Sequence, residues 1–522
     1  MRRLACLSIF SFFLIVSCKQ NAVTETTANE VTLRSDTANV TINRDIYGHF
    51  AEHLGRCIYG GLYVGEGNRT ISNTNGVRND IVQALKELKI PNLRWPGGCF
   101  ADAYQWKDGI GPKAQRPSMI NVWWGGVRED NSFGTHDFLN MCELIGTEPY
   151  LAANVGSGSV KDVSDWVSYV NHPGGSPMAD LRKRNGREKP WNVKLWGVGN
   201  EAWGCGGNMT AAYYANIYRQ YATYMNDWST EARLYKIASG ATDGDYTWTE
   251  TLMKNIPLKM MDGVALHHYS VLGWGENAKG PSVLFTEAQY FKTMEEAWKM
   301  EEFVTRHSTI MDTYDPEKKV ALIVDEWGGW YNVEEGTNPG FLYQQNTMRD
   351  AMIAGLTLNI FNNHAERVRG ANLAQIVNVL QSVILTREEK MLLTPTYHVM
   401  KMYNVHQDAM LIPIFIESPQ YEFQGKKLPA VSASASKDSS GRVHISLTNI
   451  DYRKAQQVTV QLRGQNFSRL SAAVLASNTI SDHNTFEQPQ KVTVKKFGAA
   501  KLSEGSIQLT MPAFSVVMLT LE

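Results

Sequence analysis

Two short apolar runs that each end in a glutamate decide how this chain folds: Trp196-Gly197-Val198-Gly199-Asn200-Glu201 and Leu322-Ile323-Val324-Asp325-Glu326-Trp327. Each run predicts a buried strand, and tryptophan and glycine follow each glutamate closely. A carboxylate at the end of a buried strand costs free energy to desolvate, so it is either well paired or kept there for chemistry. Glu201 and Glu326 are therefore the first candidate functional residues.

The region around these runs alternates short apolar segments with amphipathic helical stretches, from about residue 46 to residue 378. This alternation predicts a parallel sheet wrapped by helices. Segments with the length and composition of strands lie at 47–52, 92–96, 149–154, 194–200, 236–240, 263–268, 321–325 and 370–376. Because there are eight of them, the sequence predicts a closed (β/α)₈ TIM barrel.

Helices between these segments are predicted from the spacing of their apolar residues. In 77–88 apolar side chains recur at Val77, Ile81, Leu85 and Leu88, which favours a helix with one face on the barrel. Longer helices are predicted over 210–228, where Thr210 can cap the first turn, and over 342–360.

The remaining parts of the chain predict a second domain, as a length of 522 residues suggests. After residue 404, short alternating strands are separated by turn residues, which is typical of an antiparallel β-sandwich. The stretch 31–42 also alternates and precedes the barrel, so we expect it to add strands to the same sandwich. The predicted boundaries are 31–45 for these N-terminal strands, 46–403 for the barrel and 404–522 for the C-terminal sandwich.

The N-terminus has the pattern of an export signal over residues 1–17, with Arg2 and Arg3 before an apolar run. The run is too short to span a bilayer comfortably, and its end resembles a bacterial lipoprotein cleavage site that would leave a lipid-modified Cys18. Residues 18–30 are polar and predict a flexible tether. We therefore expect an exported lipoprotein, periplasmic or associated with the outer membrane, whose contact with the membrane is the lipid anchor alone.

Composition excludes several classes of function. A net charge of -1 offers no basic field for nucleic acid or an anionic bilayer. No P-loop, Rossmann glycine pattern or H-E-x-x-H motif is present, so we expect no cofactor and no catalytic metal. The neighbours His267 and His268 point to opposite faces of a strand, which argues against joint metal ligation. Four cysteines lie outside the N-terminal segment and lack paired spacing: Cys57, Cys99, Cys142 and Cys205. Disulfides are open to an exported protein, but the sequence favours buried thiols or site-lining residues.

The strand count places Glu201 at the end of the fourth barrel strand and Glu326 at the end of the seventh, where barrels hold their reacting groups. Two facing carboxylates are what glycoside hydrolysis needs, and a separation of about 5 Å serves a retaining enzyme. We predict that Glu326 attacks the anomeric carbon while Glu201 acts as acid and then as base, with Asn200 bonded to the sugar 2-hydroxyl. The alternative is that both glutamates only pair with arginines such as Arg94.

The sequence resembles the family 51 glycoside hydrolases, the retaining α-L-arabinofuranosidases of the (β/α)₈ superfamily, over nearly the whole chain. The motifs that carry the resemblance are Phe50-Ala51-Glu52-His53-Leu54-Gly55-Arg56, Leu93-Arg94-Trp95-Pro96-Gly97-Gly98-Cys99-Phe100, Gly199-Asn200-Glu201, His267-His268-Tyr269, Asp325-Glu326-Trp327 and Ala371-Asn372-Leu373-Ala374-Gln375.

This resemblance implies an enzyme that releases terminal arabinofuranose from arabinose-containing plant polysaccharides or oligosaccharides, with Glu201 as acid/base and Glu326 as nucleophile. It also implies a hexamer. The residues implied to line the arabinose pocket are Glu52, Cys99, Asn200, Tyr269, Gln375 and Trp330, with Trp124 as a further wall that aligns only after a one-residue slip.

Two departures from the family pattern border the leaving-group side: the loop 202–207 after Glu201, and Gly328-Gly329 after Glu326. They leave the accepted linkage open. The alternatives are another retaining barrel glycosidase, such as an endoglucanase or a β-xylosidase, and a glycan-binding lipoprotein that has lost the chemistry.

Overall fold

The computed structural model of the protein describes residues 29–38, 40–275 and 277–522. The predicted signal peptide, the predicted lipid site Cys18 and most of the predicted tether lie outside these residues. The last two tether positions, Asn29 and Glu30, belong to the strand Asn29–Arg34, so the tether prediction extends too far. Within the described ranges, no helix combines the length and the apolar character that crossing a bilayer requires.

Eight parallel strands close into a barrel in chain order, and the eighth pairs with the first. A strand lies in each of the eight predicted segments, which confirms the (β/α)₈ barrel. The barrel strands are β1 (Gly48–Phe50), β2 (Asn92–Trp95), β3 (Glu148–Ala153), β4 (Leu195–Val198), β5 (Tyr235–Thr242), β6 (Gly263–Ser270), β7 (Ala321–Gly329) and β8 (Val368–Ala374).

Strand β7 carries one extra residue beside the site. Between Ile323 and Glu326 it advances three residues while β6 advances two, from Ala265 to His267. The register against β8 slips in the same way between Val324 and Trp327. This bulge interrupts the regular alternation of side chains, and bulges beside active sites re-aim side chains in this way.

The helices are α1 (Asn79–Leu88), α2 (Thr135–Ile145), α3 (Val160–Asn171), α4 (Pro177–Arg184), α5 (Ala211–Tyr224), α6 (Tyr246–Asn255), α7 (Glu287–Tyr314), α8 (Met348–Asn363) and α9 (Pro395–Tyr403). Helix α1 buries Ile81, Leu85 and Leu88, as the apolar spacing predicts. Thr210 caps α5 by accepting a hydrogen bond from the Tyr213 amide.

The predicted start of α8 at residue 342 is wrong. Helix α8 begins at Met348 because Thr347 and Asp350 form a reciprocal capping box there. Leu342 instead has a left-handed backbone with φ of 49°, which is incompatible with a continuous helix.

Two sheets form the second domain, which confirms the predicted sandwich. The seven-stranded sheet contains Val40–Thr41, Met410–Ile412, Val431–Lys437, Val443–Asn449, Ser515–Leu521, Leu470–Leu475 and Lys495–Lys496 in spatial order. The five-stranded sheet contains Ile414–Glu417, Asn29–Arg34, Gln456–Arg463, Ser506–Met511 and Lys501–Ser503. Asn29–Arg34 and Gln456–Arg463 pair in parallel, whereas the other pairs that the structure describes in these two sheets are antiparallel. Short hairpins pair Asn73–Thr74 with Val77–Arg78, Met119–Ile120 with Arg128–Glu129, Ile384–Arg387 with Lys390–Leu393, and Gln420–Phe423 with Lys426–Pro429.

Helix α8 joins the barrel to the sandwich through a buried polar cluster. Asn359 Oδ1 accepts hydrogen bonds from Ser434 at 3.0 Å, Ser446 at 2.8 Å and Tyr403 at 3.0 Å. A Cβ on Gly355 of the same helix would meet Thr448 Oγ1 at 2.5 Å, so only glycine permits this approach. The two domains therefore share a packed interface. The domain boundaries, with the barrel over 46–403 and the sandwich from 404, stay predictions.

Candidate active site

Three glutamates converge where the carboxyl ends of the barrel strands meet. Glu52 follows β1, Glu201 follows β4, and Glu326 lies at the bulge in β7. Glu201 has a positive φ of 38°, a backbone conformation that non-glycine residues seldom adopt and that is frequent at functional sites. The expectation that Glu201 and Glu326 share one rim of the barrel agrees with this arrangement.

Glu326 is fixed by two donors. Arg94 Nη1 donates to Oε1 at 2.9 Å, and the Tyr269 hydroxyl donates to Oε2 at 2.8 Å. A Cβ on Gly98 would lie 2.7 Å from Oε1, so the backbone of the loop after β2 closes tightly over this carboxylate. Only 7% of the Glu326 side chain is exposed. Both oxygens are therefore oriented, and a guanidinium stabilises the ionised form.

Glu201 has fewer partners and more access to solvent, with 18% of its side chain exposed. His267 Nδ1 lies 2.9 Å from Oε1, and Cys205 Sγ lies 3.5 Å from Oε2. An oxygen of Glu201 and an oxygen of Glu326 lie within 4.8 Å of each other. This separation agrees with the roughly 5–5.5 Å between the carboxyl groups of retaining glycosidases.

The pKa of Glu201 depends on its burial and on its neighbours His267 and Glu326. Burial raises the pKa of Glu201; the hydrogen bond from His267 opposes that rise and the charge of Glu326 adds to it. For His267, burial alone would lower the pKa, but Glu326, Asp325 and Glu201 outweigh it and raise the pKa to about 10. A raised pKa keeps a carboxyl group protonated, which is what a general acid needs.

Glu52 is held by four donors at the bottom of the same site. Oε1 accepts from the amides of Gly98 at 3.0 Å and Phe100 at 3.1 Å and from Trp124 Nε1 at 2.9 Å. Gln375 Nε2 donates to Oε2 at 2.7 Å. Burial first, and the charge of Glu326 second, raise the pKa of Glu52 to about 7. The structure thus brings Glu52, Gln375 and Trp124 together.

The other predicted pocket residues surround the catalytic pair. Asn200 accepts a hydrogen bond from Arg94 Nη2 at 2.6 Å through Oδ1. The rings of Tyr269 and Trp330 meet edge to face with centroids 5.2 Å apart. Arg94 pairs with Glu326, as the ion-pair alternative anticipates, but Glu201 has His267 as its partner instead.

Cys99 and Cys205 form a disulfide, with their Cα atoms 5.4 Å apart. The preference for buried thiols over disulfides is therefore wrong for this pair, because the loops after β2 and β4 bring together residues far apart in sequence. Cys57 and Cys142 are free and buried, as predicted. The disulfide ties the loop that contacts Glu52 to the loop that carries Glu201.

Sequence reasoning missed two residues that contact the site. His267 Nε2 lies 3.1 Å from Asp325 Oδ1, and Asp102 Oδ2 accepts from the Asn200 amide at 2.8 Å. A histidine at the end of the sixth strand was a visible signal for His267. Asp102 lies in the short helix Ala101–Ala103 beyond any strand, and no sequence pattern marks it.

Comparisons with known proteins agree with this geometry. The family described as "Alpha-L-arabinofuranosidase 1 domain" matches residues 84–277, and the one described as "Alpha-L-arabinofuranosidase C-terminal domain" matches residues 325–515. A relative from Bacteroides ovatus, named "Intracellular exo-alpha-L-arabinofuranosidase", is 49% identical over 99% of each chain.

Solved structures give the same result. The GH51 arabinofuranosidase from Xanthomonas axonopodis pv. citri superposes with a TM-score of 0.93 at 47% identity, covering 95% of this chain and 100% of that one. The arabinose complex of the α-L-arabinofuranosidase from Thermotoga maritima superposes with a TM-score of 0.80 at 29% identity, covering 94% and 99%.

The name of the Bacteroides relative contradicts the predicted location. That protein is called intracellular, so the expectation of an exported lipoprotein at the periplasm or outer membrane is wrong. An apolar N-terminal run predicts export by composition alone, and residues 1–28 lie outside the part of the chain that the structure describes.

Three findings lead to one assignment: the identity to a relative over nearly the full length of both chains, the matching family domains, and the arrangement of the barrel site. The chain belongs to the α-L-arabinofuranosidases of glycoside hydrolase family 51.

Proposed function

We propose that this chain is a retaining, exo-acting α-L-arabinofuranosidase that releases terminal arabinofuranose from arabinose-containing plant oligosaccharides or polysaccharides. The approach of the Glu201 and Glu326 oxygens to within 4.8 Å of each other is the observation that carries the proposal. Such a close approach of two oxygens suits a nucleophile that forms a sugar ester better than the wider spacing that an inverting enzyme needs for its water.

In the first step, Glu326 attacks the anomeric carbon and forms a carbon–oxygen bond as the glycosidic bond breaks. Glu201 gives its proton to the departing oxygen. The surroundings support this assignment, because Arg94 and Tyr269 donate hydrogen bonds that orient Glu326, whereas burial favours the protonated form of Glu201.

In the second step, water attacks the same carbon and the ester to Glu326 breaks. Glu201, now ionised, takes the proton of that water. Loss of the Glu326 charge on ester formation removes one cause of the raised pKa of Glu201, so the same residue can act first as acid and then as base.

The sugar pocket is proposed from the groups around this pair. Glu52, with its oxygens already oriented by Gln375 and Trp124, would accept hydrogen bonds from sugar hydroxyls. Asn200 would bond the 2-hydroxyl through its amide nitrogen, and Tyr269 and Trp330 would offer flat apolar surface to the ring. Cys99, whose sulfur is bonded to Cys205, would line the pocket through its backbone.

The relative's name favours action inside the cell. Assembly into a hexamer stays a prediction from family resemblance. Sedimentation analysis of the purified protein would check it.

Substrate comparison tests the proposal. Nitrophenyl α-L-arabinofuranoside should be hydrolysed much faster than nitrophenyl β-D-xyloside or a β-glucan. Dominant cleavage of the xyloside or the glucan would replace the substrate assignment by the other retaining glycosidases.

Replacement of the nucleophile tests the chemistry. Glu326→Ala should abolish turnover while leaving the thermal unfolding transition cooperative, because the lost group makes the ester on which both steps depend. Glu335→Ala, which removes an exposed glutamate from the loop after β7, is the matched control and should keep wild-type activity. Equal inertness of wild type and Glu326→Ala, with oligosaccharide still bound, would favour a glycan-binding protein.

A further inference from the structure

Asp325 and His267 connect the proposed acid/base to the proposed nucleophile. The imidazole of His267 lies between Glu201 Oε1, at 2.9 Å from Nδ1, and Asp325 Oδ1, at 3.1 Å from Nε2. Glu326 Oε2 is 3.6 Å from the same Nδ1. His267 therefore contacts three carboxyl groups at once, while only 6% of its side chain is exposed.

The bulge in β7 makes this contact possible. Adjacent residues of a regular strand point to opposite faces, so Asp325 and Glu326 could not both reach the barrel interior without an extra residue. The register of β7 slips by one residue against both neighbours at this point. Both side chains are consequently buried in the same site, with 3% of Asp325 and 7% of Glu326 exposed.

Asp325 is held as an anion by two other groups. The Tyr150 hydroxyl donates to Oδ2 at 2.7 Å, and Arg94 Nε lies 3.6 Å from the same oxygen. Burial opposes ionisation of Asp325, but Arg94 and His267 outweigh it and lower the pKa. An ionised Asp325 can only accept a hydrogen bond, so His267 Nε2 must carry a proton.

The net charge around His267 depends on the charged and titratable groups that surround it. The groups are Glu201 after β4, Asp325 and Glu326 on β7, Arg94 on β2, Tyr150 on β3, Tyr269 on β6 and Glu52 after β1. With Asp325 and Glu326 ionised, the cations Arg94 and His267 balance two negative charges. This balance leaves Glu201 free to be the neutral, protonated acid.

We infer that Asp325 is a positioning residue that keeps His267 as an imidazolium, so that His267 donates to Glu201 Oε1 and the acidic proton of Glu201 stays on Oε2. The inference rests on the proposed role of Glu201 as acid/base. Without the Asp325 charge, His267 is neutral and its Nδ1 can accept a hydrogen bond from protonated Glu201, which turns that proton away from the departing oxygen.

Removing the Asp325 charge lowers the pKa of His267, because the imidazolium loses a favourable Coulomb interaction, and the imidazolium is the active form under this inference. Asp325→Asn should therefore move the alkaline limb of kcat/KM to lower pH, by at least about two units. A raised pKa of His267, to about 10, agrees with the presence of that anion in the native protein.

The leaving group gives a second readout. Nitrophenolate departs with little help from an acid, whereas the alkoxide of an arabino-oligosaccharide needs a proton. In Asp325→Asn, kcat should fall at least about tenfold more on the oligosaccharide than on the nitrophenyl arabinoside, while KM changes little. A purely structural role would lower both rates equally and leave the pH limb in place.

Three variants separate the possible outcomes. Tyr150→Phe removes the hydroxyl bonded to Asp325 but keeps the charge, so its alkaline limb should match that of wild type. Glu201→Gln tests the proposed function itself. If its kcat falls equally on the oligosaccharide and on the nitrophenyl arabinoside, Glu201 is not the acid and the proposed function fails. If Glu201→Gln discriminates between substrates and Asp325→Asn does not, only the inference about Asp325 is overturned.

Nitrogen NMR of the ring tests the protonation directly and requires no activity. In protein labelled with ¹⁵N-histidine, with the His267 signals assigned through His267→Gln, both ring nitrogens should show imidazolium shifts at pH 8 in wild type. In Asp325→Asn they should show the shifts of a neutral ring. A neutral ring in wild type, or an unchanged imidazolium in the variant, would overturn the inference.

Discussion

Glu201 and Glu326 have different surroundings, although similar sequence surrounds both. Glu326 receives hydrogen bonds from Arg94 and Tyr269, which favour the carboxylate. Glu201 has more solvent access and a raised pKa. The sequence predicts both residues because each ends a buried strand. Their different partners, His267 for Glu201 and Arg94 for Glu326, come close only in the folded barrel.

Tyr269→Phe isolates the contribution of the hydroxyl that orients the nucleophile. A hydrogen bond to a charged group is worth about 1.5–3 kcal/mol, so kcat should fall roughly 10- to 100-fold, with little change in Tm. Steady-state kinetics and thermal unfolding check both parts. Tyr213→Phe removes the hydroxyl of an exposed tyrosine and should have no effect; wild-type kcat in Tyr269→Phe would contradict the role of the bond.

At the scale of elements, the sequence predicts the barrel strands but not the contacts that their loops and bulges make. Alternating apolar segments mark strands because each parallel strand is buried on both sides. The Cys99–Cys205 disulfide and the bulge in β7 depend on contacts between different strands and loops, so no local pattern predicts them. The start of α8 differs from these, because its capping box is a local pattern, Thr347-Met348-Arg349-Asp350, that the prediction overlooked.

The loop after β2 shows how an element controls the site through its backbone. Gly98→Ala should lower kcat at least about tenfold, because its Cβ would lie 2.7 Å from Glu326 Oε1 and displace the carboxylate. Gly67→Ala is the matched control, since a Cβ there meets no atom within 4 Å. Kinetics measured beside circular dichroism check this; a fully active Gly98→Ala would show that the loop yields without cost.

At the scale of the whole molecule, helix α8 couples the barrel to the sandwich. The side chain of Asn359 accepts hydrogen bonds from Ser434 and Ser446, on two neighbouring strands of the sandwich, and from Tyr403 in α9. All of these groups are buried. The sequence predicts a barrel and a sandwich from their different strand spacing. It does not predict this interface, because an asparagine inside an apolar helix acquires its partners only when the two domains pack.

Asn359→Ala should lower the free energy of unfolding by about 1–3 kcal/mol, because Ser434, Ser446 and Tyr403 lose a buried acceptor. Asn466→Ala removes an exposed asparagine from the turn between Gln456–Arg463 and Leu470–Leu475 and should change it by less than about 0.5 kcal/mol. Denaturant unfolding of both variants checks the difference. Equal stability of the two would mean that the cluster does not hold the domains together.

The stereochemistry of the first product tests double displacement most directly. We would follow nitrophenyl α-L-arabinofuranoside in buffer containing methanol by proton NMR, since the methyl glycoside does not mutarotate. Attack by Glu326 and then by methanol inverts the anomeric carbon twice, so methyl α-L-arabinofuranoside should be the product formed. Formation of the methyl β-anomer would contradict a covalent intermediate on Glu326.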